Sequence, residues 1–565
     1  MITRAKLLFD LLGPRTLARF DARCRHPMQE QEKLLRGLLH ENADTAFGRR
    51  HGFAAIESMS GFQKQIPLAE YEDIEPYVEA ARRGQPAQLT RARPVFYAMT
   101  SGTTGPAKYI PVTEASRHAK AGVMRLWLSA TLRDHPSVLD GAILQPSSPE
   151  VEVRAPDGTP CGSEGGHAYR NMPKVMRSLY PVPYEVCEIR DYAARYYSLL
   201  RVALMHSVRA IGTPNPSTIL LLARELSAHT ERLIRDVRDG TLDASLSIPA
   251  EIRRSLEHTL RPDPTRAAAL QRAAAAGGGP LLPRYAWPDL ALLACWKGGS
   301  VGPYIDQLAP YFRPDLALRD LGWLSSECRG SVPLSDDGDA GVLAVGTNVY
   351  EFFPLADDRE GDRKPQPTEL LTADQLDVGG RYLVYVTTAG GLCRYAMHDI
   401  LEVTGFHLKT PIVRFVQKEK GIVSFTGEKL TEAQVLAAAD EVLDGRRPDR
   451  SFIAAIGRPP AAGAEAYYLF LVEYDTPPND LAARRSARAL DQALGRHNIE
   501  YASKRKSGRL GPAVLRVLAA GQFDAYQRRA LQMGARDGQF KILRLVTDGA
   551  FADQFPRVVG DYDGG

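Results

Sequence analysis

Residues 100–108 read Thr-Ser-Gly-Thr-Thr-Gly-Pro-Ala-Lys, packing hydroxyls, two glycines and a lysine into nine positions. Glycines admit positive φ and let backbone amides approach an anion. Ser101, Thr103 and Thr104 offer hydroxyl donors around Gly102, and Lys108 adds a charge. Such donors can wrap phosphate oxygens. The spacing is not that of the Walker loop, whose Gly-x-x-x-x-Gly-Lys-Ser/Thr does not fit. A plain strand-to-helix turn is the other reading, and Lys108 favours phosphate over it.

The loop needs a strand before it and a helix after it. Pro94-Val-Phe-Tyr-Ala-Met99 is a β-branched and aromatic run that reads as the strand. Thr113, followed by Glu114, reads as the cap of a long helix. Residues 1–90 and 192–261 carry helical spacing, and 262–283, with Gly277-Gly-Gly-Pro280, read as a flexible connection. Strand-like runs dominate 285–407, among them Gly341-Val-Leu-Ala-Val345, Val349-Tyr-Glu-Phe-Phe353 and Tyr382-Leu-Val-Tyr-Val-Thr-Thr388. Thr431-x-x-Gln434 is a capping box opening a helix. Strand 466–474, helix 481–497, strand 513–518, helix 523–533 and strand 540–546 are expected to follow. That alternation suits a small α+β layer of helices on one sheet, with a hinge between roughly 410 and 430.

Composition narrows the class. The 565 residues are 44% hydrophobic and 24% charged, ordinary for a globular protein, so global disorder is excluded. Lys+Arg 71 against Asp+Glu 67 leaves only +4, so no nucleic-acid or acidic-membrane partner is expected. Six scattered cysteines form no Cys-x-x-Cys unit, which points to a reducing cytoplasm rather than a disulfide framework or structural zinc. Asp10 interrupts the apolar start, a poor signal peptide, and no run approaches the ~20 apolar residues of a membrane span.

The phosphate loop closely resembles the signature loop of the adenylate-forming enzymes. Further residues narrow the resemblance to the acyl acid-amido synthetases, the auxin-responsive Gretchen Hagen 3 family and its bacterial relatives. They are the continuation Tyr109-Ile-Pro-Val-Thr113 and the stretch Trp323-Leu-Ser-Ser-Glu-Cys328. A longer block runs Val386-Thr-Thr-Ala-Gly-Gly-Leu-Cys-Arg-Tyr395, Asp399-Ile-Leu-Glu-Val-Thr-Gly-Phe406 and Val413-Arg-Phe-Val-Gln-Lys418. Weaker similarity covers Trp296-Lys-Gly-Gly-Ser300, Tyr350-Glu-Phe-Phe353 and Gln539-Phe-Lys541. The chain departs from the family at Trp323, where tyrosine is usual, and at His398, where glycine is usual.

The resemblance implies an α/β protein in two parts. A large N-terminal domain, 1–412, would hold mixed sheets and a β-barrel-like part; a hinge, 413–430, would lead to a small mobile α+β domain, 431–565. It also implies a bacterial member of the family: a cytoplasmic, monomeric ligase using ATP and Mg²⁺. A small carboxylic acid would be adenylated and then passed to an amino acid's amine. Ser101, Gly102, Thr103, Thr104 and Lys108 would hold phosphates, with Trp323, Ser325 and Ser326 near the nucleotide and Glu327 on the metal. Asp399 would accept both ribose hydroxyls, against a bland reading as a turn or cap residue. Arg394 would hold the Asp399 loop or touch phosphate, an internal salt bridge being equally open. Lys541 would be catalytic, Lys429 a hinge-region contact, and Arg125 a partner of the acyl carboxylate unless it lies on a solvated helix face. Two rivals stay open: acyl transfer to a thiol, as in acyl-CoA ligases, and a catalytically inactive nucleotide-binding relative.

Overall fold

A computed structural model of the chain describes residues 2–100, 108–298, 302–355, 365–419, 422–443, 453–458, 464–474, 476–523, 525–526, 529, 544–546 and 548–565. Its contacts divide into one unit of residues 1–99 and 109–419 and a second of residues 100–108 and 420–565.

The first unit opens with helices α1 (Ile2–Cys24), α2 (Pro27–Glu41) and α3 (Tyr71–Arg82). Strand β1 (Phe96–Thr100) leads to the phosphate loop and β2 (Lys108–Val112) leaves it. Thr113 then caps α4 (Glu114–Asp134) by accepting from the Ser116 amide, the cap expected from sequence. With β4 (Val153–Arg154) and β5 (Pro160–Gly162), these strands make a four-stranded sheet in the order β2-β1-β5-β4.

A second four-stranded sheet is wholly parallel: β3 (Ala142–Leu144), β6 (Val208–Gly212), β7 (Leu292–Ala294) and β8 (Ala317–Arg319). Parallel strands are covered on both faces, which is why the run Val208-Arg-Ala-Ile-Gly212 lies within a stretch otherwise read as helix. Most of its flank is helical, as α5 (Glu164–Arg170) and α6 (Tyr192–Ala203) precede it. The expected flexible connection at 262–283 is largely a helix instead, α7 (Pro264–Ala276). Asp263 caps it, Pro264 takes the first-turn position where no N–H is needed, and alanine is the best helix former. Gly278 and Gly279, at φ +95° and +119°, end the segment.

The strand-rich region is a six-stranded antiparallel sheet ordered β11-β12-β13-β14-β10-β9. Its strands are β9 (Ser331–Val332), β10 (Ala340–Leu343), β11 (Val349–Pro354), β12 (Arg381–Thr387), β13 (Tyr395–His407) and β14 (Thr410–Lys418). Phe96, Tyr350, Phe352, Val384 and Val386 bury in the core beneath α2 and α3.

The second unit holds the ribbon β15 (Ile422–Val423) and β16 (Leu430–Thr431). Thr431 and Gln434 close the expected capping box on α8 (Glu432–Val442). Its sheet runs β20-β17-β18-β19-β21, from β17 (Ile453–Arg458), β18 (Tyr467–Glu473), β19 (Val514–Leu518), β20 (Leu545–Val546) and β21 (Val558–Asp563). Helices α9 (Asp480–His497) and α10 (Ile499–Lys506) complete it. Most of the expected helix 523–533 lies outside the described residues.

Candidate functional site

The Ser-Ser-Glu stretch folds as a tight hairpin. The Gly330 amide donates to Trp323 O (2.8 Å) and the Ser325 amide to Cys328 O (2.8 Å). Ser325 Oγ accepts from the amides of Glu327 (3.2 Å) and Cys328 (3.4 Å), so its hydroxyl shapes the turn. Ser326 O accepts from Lys120 Nζ on α4 (2.6 Å). Glu327 stands at the tip with only 9% of its surface exposed. Gly330 is required here, because a Cβ would come within 2.0 Å of the Trp323 ring.

Trp323 links this hairpin to β13. The buried indole Nε1–H donates to Asp399 Oδ2 (2.8 Å), and Tyr350 packs tilted against the ring. Asp399 sits directly opposite Lys418 on β14, and the lysine ion-pairs with Oδ1. Lys418 also donates to Met397 O (3.1 Å). An ionised carboxylate offers about four lone-pair sites. Trp323 and Lys418 take one on each oxygen, so one on each is left for the two hydroxyls of a diol. The sequence reading has Trp323 near the nucleotide; in this structure it is a buried donor that orients Asp399.

Arg394 resolves to the internal salt bridge, not to a phosphate contact. Its side chain is fully buried and donates bidentately to Glu351, by Nε (2.9 Å) and Nη2 (2.8 Å). Nη1 reaches Gln63 O (3.0 Å) and Ile66 O (2.6 Å), and Nη2 also reaches Pro367 O (2.5 Å). All five donors are thus spent inside the protein. The pair fixes the start of β13 against the loop before α3, where Ala69 bridges Tyr395.

His398 also finds a place. Nε2 meets Glu70 (2.7 Å) and Nδ1 meets Glu419 (2.7 Å), so the ring is clamped between two carboxylates. Burial opposes a charge on the ring, but the bonds to Glu419 and Glu70 overcome it and hold the imidazolium up to a pKa of about 9. A folded-state pKa above the unfolded ~6.5 makes this contribution complete below about pH 6.5 and lost as pH rises through 9. Wild-type stability should therefore fall by on the order of 2 kcal/mol between pH 6.5 and 9.5 relative to His398→Asn, a substitution that tolerates the local φ of +53°. Urea unfolding of both proteins across that range checks this; parallel pH profiles would remove the clamp from the ledger.

The remaining expected residues divide. Lys108 is buried at the start of β2. Ser101, Gly102, Thr103, Thr104 and Lys541 lie outside the described residues. Arg125 lies on the exposed face of α4, while its neighbours Val123, Leu126 and Trp127 are buried. In the second unit Lys429 has φ +47° and follows a turn organised by fully buried Glu428. The Glu428 carboxylate accepts from the Phe425 amide (2.8 Å), the Thr426 amide (2.8 Å), Thr426 Oγ1 (2.9 Å) and the Tyr468 hydroxyl (2.5 Å).

Sequence reasoning missed Lys418, Glu351 and the glutamates flanking His398. Glu351 did carry a signal: it is a carboxylate inside an apolar run, Tyr350-Glu-Phe-Phe353. Buried acids of that kind need a paired cation.

Three family models match consecutive parts of the chain: the GH3 family N-terminal domain at 16–317, the central domain at 341–418 and the C-terminal domain at 438–550. The chain is 28% identical to a probable indole-3-acetic acid-amido synthetase, GH3.4, of Oryza sativa subsp. japonica, over 93% of this chain and 87% of that one. It is 24% identical to a jasmonoyl–L-amino acid synthetase, JAR4, of Nicotiana attenuata, over 91% and 90%. Among solved structures, the fold matches an AtGH3.15 acyl acid amido synthetase in complex with 2,4-DB at a TM-score of 0.66 and 20% identity, covering 98% and 97% of the two chains.

Proposed function

Because this chain belongs to the GH3 family, we propose that it is an ATP-dependent acyl acid-amido synthetase. A carboxylate oxygen of the acid attacks the α-phosphorus of ATP, forming acyl-AMP as pyrophosphate leaves. An amino acid's amine then attacks the acyl carbon, forming the amide as AMP leaves and a proton is lost. Splitting a hard condensation through an activated intermediate lowers each barrier. The observation that carries this reading is Asp399: buried, oriented by Trp323 and Lys418, and with one acceptor site left on each oxygen. That is the acceptor a ribose diol needs.

Glu327 would hold Mg²⁺. Among the described residues no group of three His, Cys, Asp or Glu side chains could enclose a metal. Magnesium needs no such cage, since one or two carboxylates with water and phosphate oxygens suffice, and the buried Glu327 carboxylate suits it. When bound, the ion would neutralise charge on the polyphosphate. Lys108 and the hydroxyls of Ser101, Thr103 and Thr104 would share the phosphates. No helix among the described residues is long and apolar enough to cross a membrane.

Acid-dependent exchange of pyrophosphate into ATP tests the first half-reaction, and a choice of amino acid or coenzyme A tests the second. We expect exchange with at least one organic acid and turnover with the amino acid alone. Asp399→Ala should raise the KM for ATP about ten- to hundredfold, the loss of hydrogen bonds to a charged group, and should lower the melting temperature, because Lys418 and the Trp323 indole lose their buried acceptor. A folded variant with wild-type ATP kinetics would take Asp399 out of the site; turnover with coenzyme A instead would make the chain an acyl-CoA ligase.

A further inference from the structure

Arg329 lies two residues past Glu327, where its backbone bridges Leu324 across the hairpin. Its Nη1 donates to Met124 Sδ on α4 (2.7 Å), a weak thioether acceptor. Among the described residues that sulfur is the one atom hydrogen-bonded to the guanidinium. The Arg329 side chain is half-buried. Beside the hairpin, Glu164 is ion-paired to Lys120 (3.2 Å), and Lys120 is tied to Ser326 O as well.

Lys120 and Met124 are four residues apart, so they share a face of α4. Met124 packs against the apolar cluster that includes Val123, Leu126, Trp127 and Ile143. An apolar wall with a half-buried, under-used guanidinium beside it is what an organic acid requires: hydrocarbon against the wall, carboxylate against the fork. We propose that Arg329 is the residue that binds the carboxylate of the acyl acid over the Met124 face of α4. Arg329 therefore takes the part that the sequence assigned to Arg125. Two-point hydrogen bonding from the guanidinium would orient the carboxylate and leave its outward lone pair for attack. The assignment rests on the synthetase reading and deepens it.

Arg329→Met tests it, with pyrophosphate exchange run on a panel from benzoate to indole-3-acetate and a medium-chain fatty acid. The acid's KM should rise ten- to hundredfold. The KM for ATP should stay within about twofold, and the melting temperature should hold, because the charge removed is half-exposed and paired with no carboxylate among the described residues. Arg329→Lys should restore part of the affinity, as a point charge without the fork. Wild-type acid KM in Arg329→Met would overturn the assignment while leaving the synthetase standing. So would a joint rise in acid and ATP KM with a lowered melting temperature, which marks a structural arginine. A rise confined to the amino acid's KM in the complete reaction would give the guanidinium to the acceptor's carboxylate instead. A wild-type chain with no acid-dependent exchange at all would overturn both the function and Arg329's part in it.

Discussion

Glu351→Ala should destabilise the first unit by about 3–5 kcal/mol, the largest stability effect expected of any single change described above. The reason is the cation left behind. Arg394 is fully buried, and Glu351 supplies the only countercharge bonded to it among the described residues. Three backbone carbonyls, of Gln63, Ile66 and Pro367, would still accept from the guanidinium, but none cancels its charge. The double change Glu351→Met with Arg394→Met should cost less than either single one, because an apolar pair of similar volume avoids the buried charge. Urea unfolding of the three variants measures this. Additive losses would mean that the two side chains act separately, contrary to the bidentate geometry. The melting temperature of Glu351→Ala should fall by several degrees, while the Arg394 variants should keep the KM for ATP, as a structural arginine does.

Lys541→Ala should depress acid-dependent pyrophosphate exchange by about 10²–10³ and spare amide formation from supplied acyl-AMP. The lysine lies outside the described residues, so the argument is chemical and rests on the family resemblance of Gln539-Phe-Lys541. Negative charge builds on the α-phosphate only as the acid attacks. A cation placed for that moment stabilises the transition state more than the ground state and so acts on rate. Amide formation leaves the phosphate's charge on departing AMP and does not draw on the same contact. A surface lysine predicts little effect on either half. Measuring both half-reactions on one variant decides the matter: equal impairment, or none, would remove Lys541 from catalysis.

Local signals were readable because their physics is local. Thr113 and Thr431 cap helices through atoms three residues away, and β11 and β12 announce themselves by β-branched and aromatic content. The Ser-Ser-Glu hairpin and Asp399 were singled out by residue type and family likeness. What joins them was not readable. Lys418 meets Asp399 through a cross-strand register that shifts between Ile400 and Leu401, and no spacing rule gives a bulge its position. His398 gathers Glu70 and Glu419 from 328 and 21 residues away. Which residues meet α4 was hidden for a similar reason: the Arg329 contact with Met124 comes from a hairpin about 200 residues later in the chain. The alanine-rich α7 failed the other way, since a glycine-rich end masked a strong helix former.

Arg394, His398 and Lys429 share one backbone property, a φ of +47°, +53° and +47° respectively. For a non-glycine residue that conformation costs roughly 1–2 kcal/mol. At these three positions, then, conventional alanine scanning mixes two quantities. Alanine deletes the side chain but keeps the Cβ that makes the left-handed backbone expensive. Glycine deletes the side chain and relaxes the backbone at once, so the Gly-minus-Ala difference at each site reads out stored conformational strain separately from chemistry. A stabilised variant of this protein could be sought the same way: a side chain whose chemistry proves dispensable can be exchanged for glycine there with a gain, where glycine elsewhere in a strand or helix is a loss.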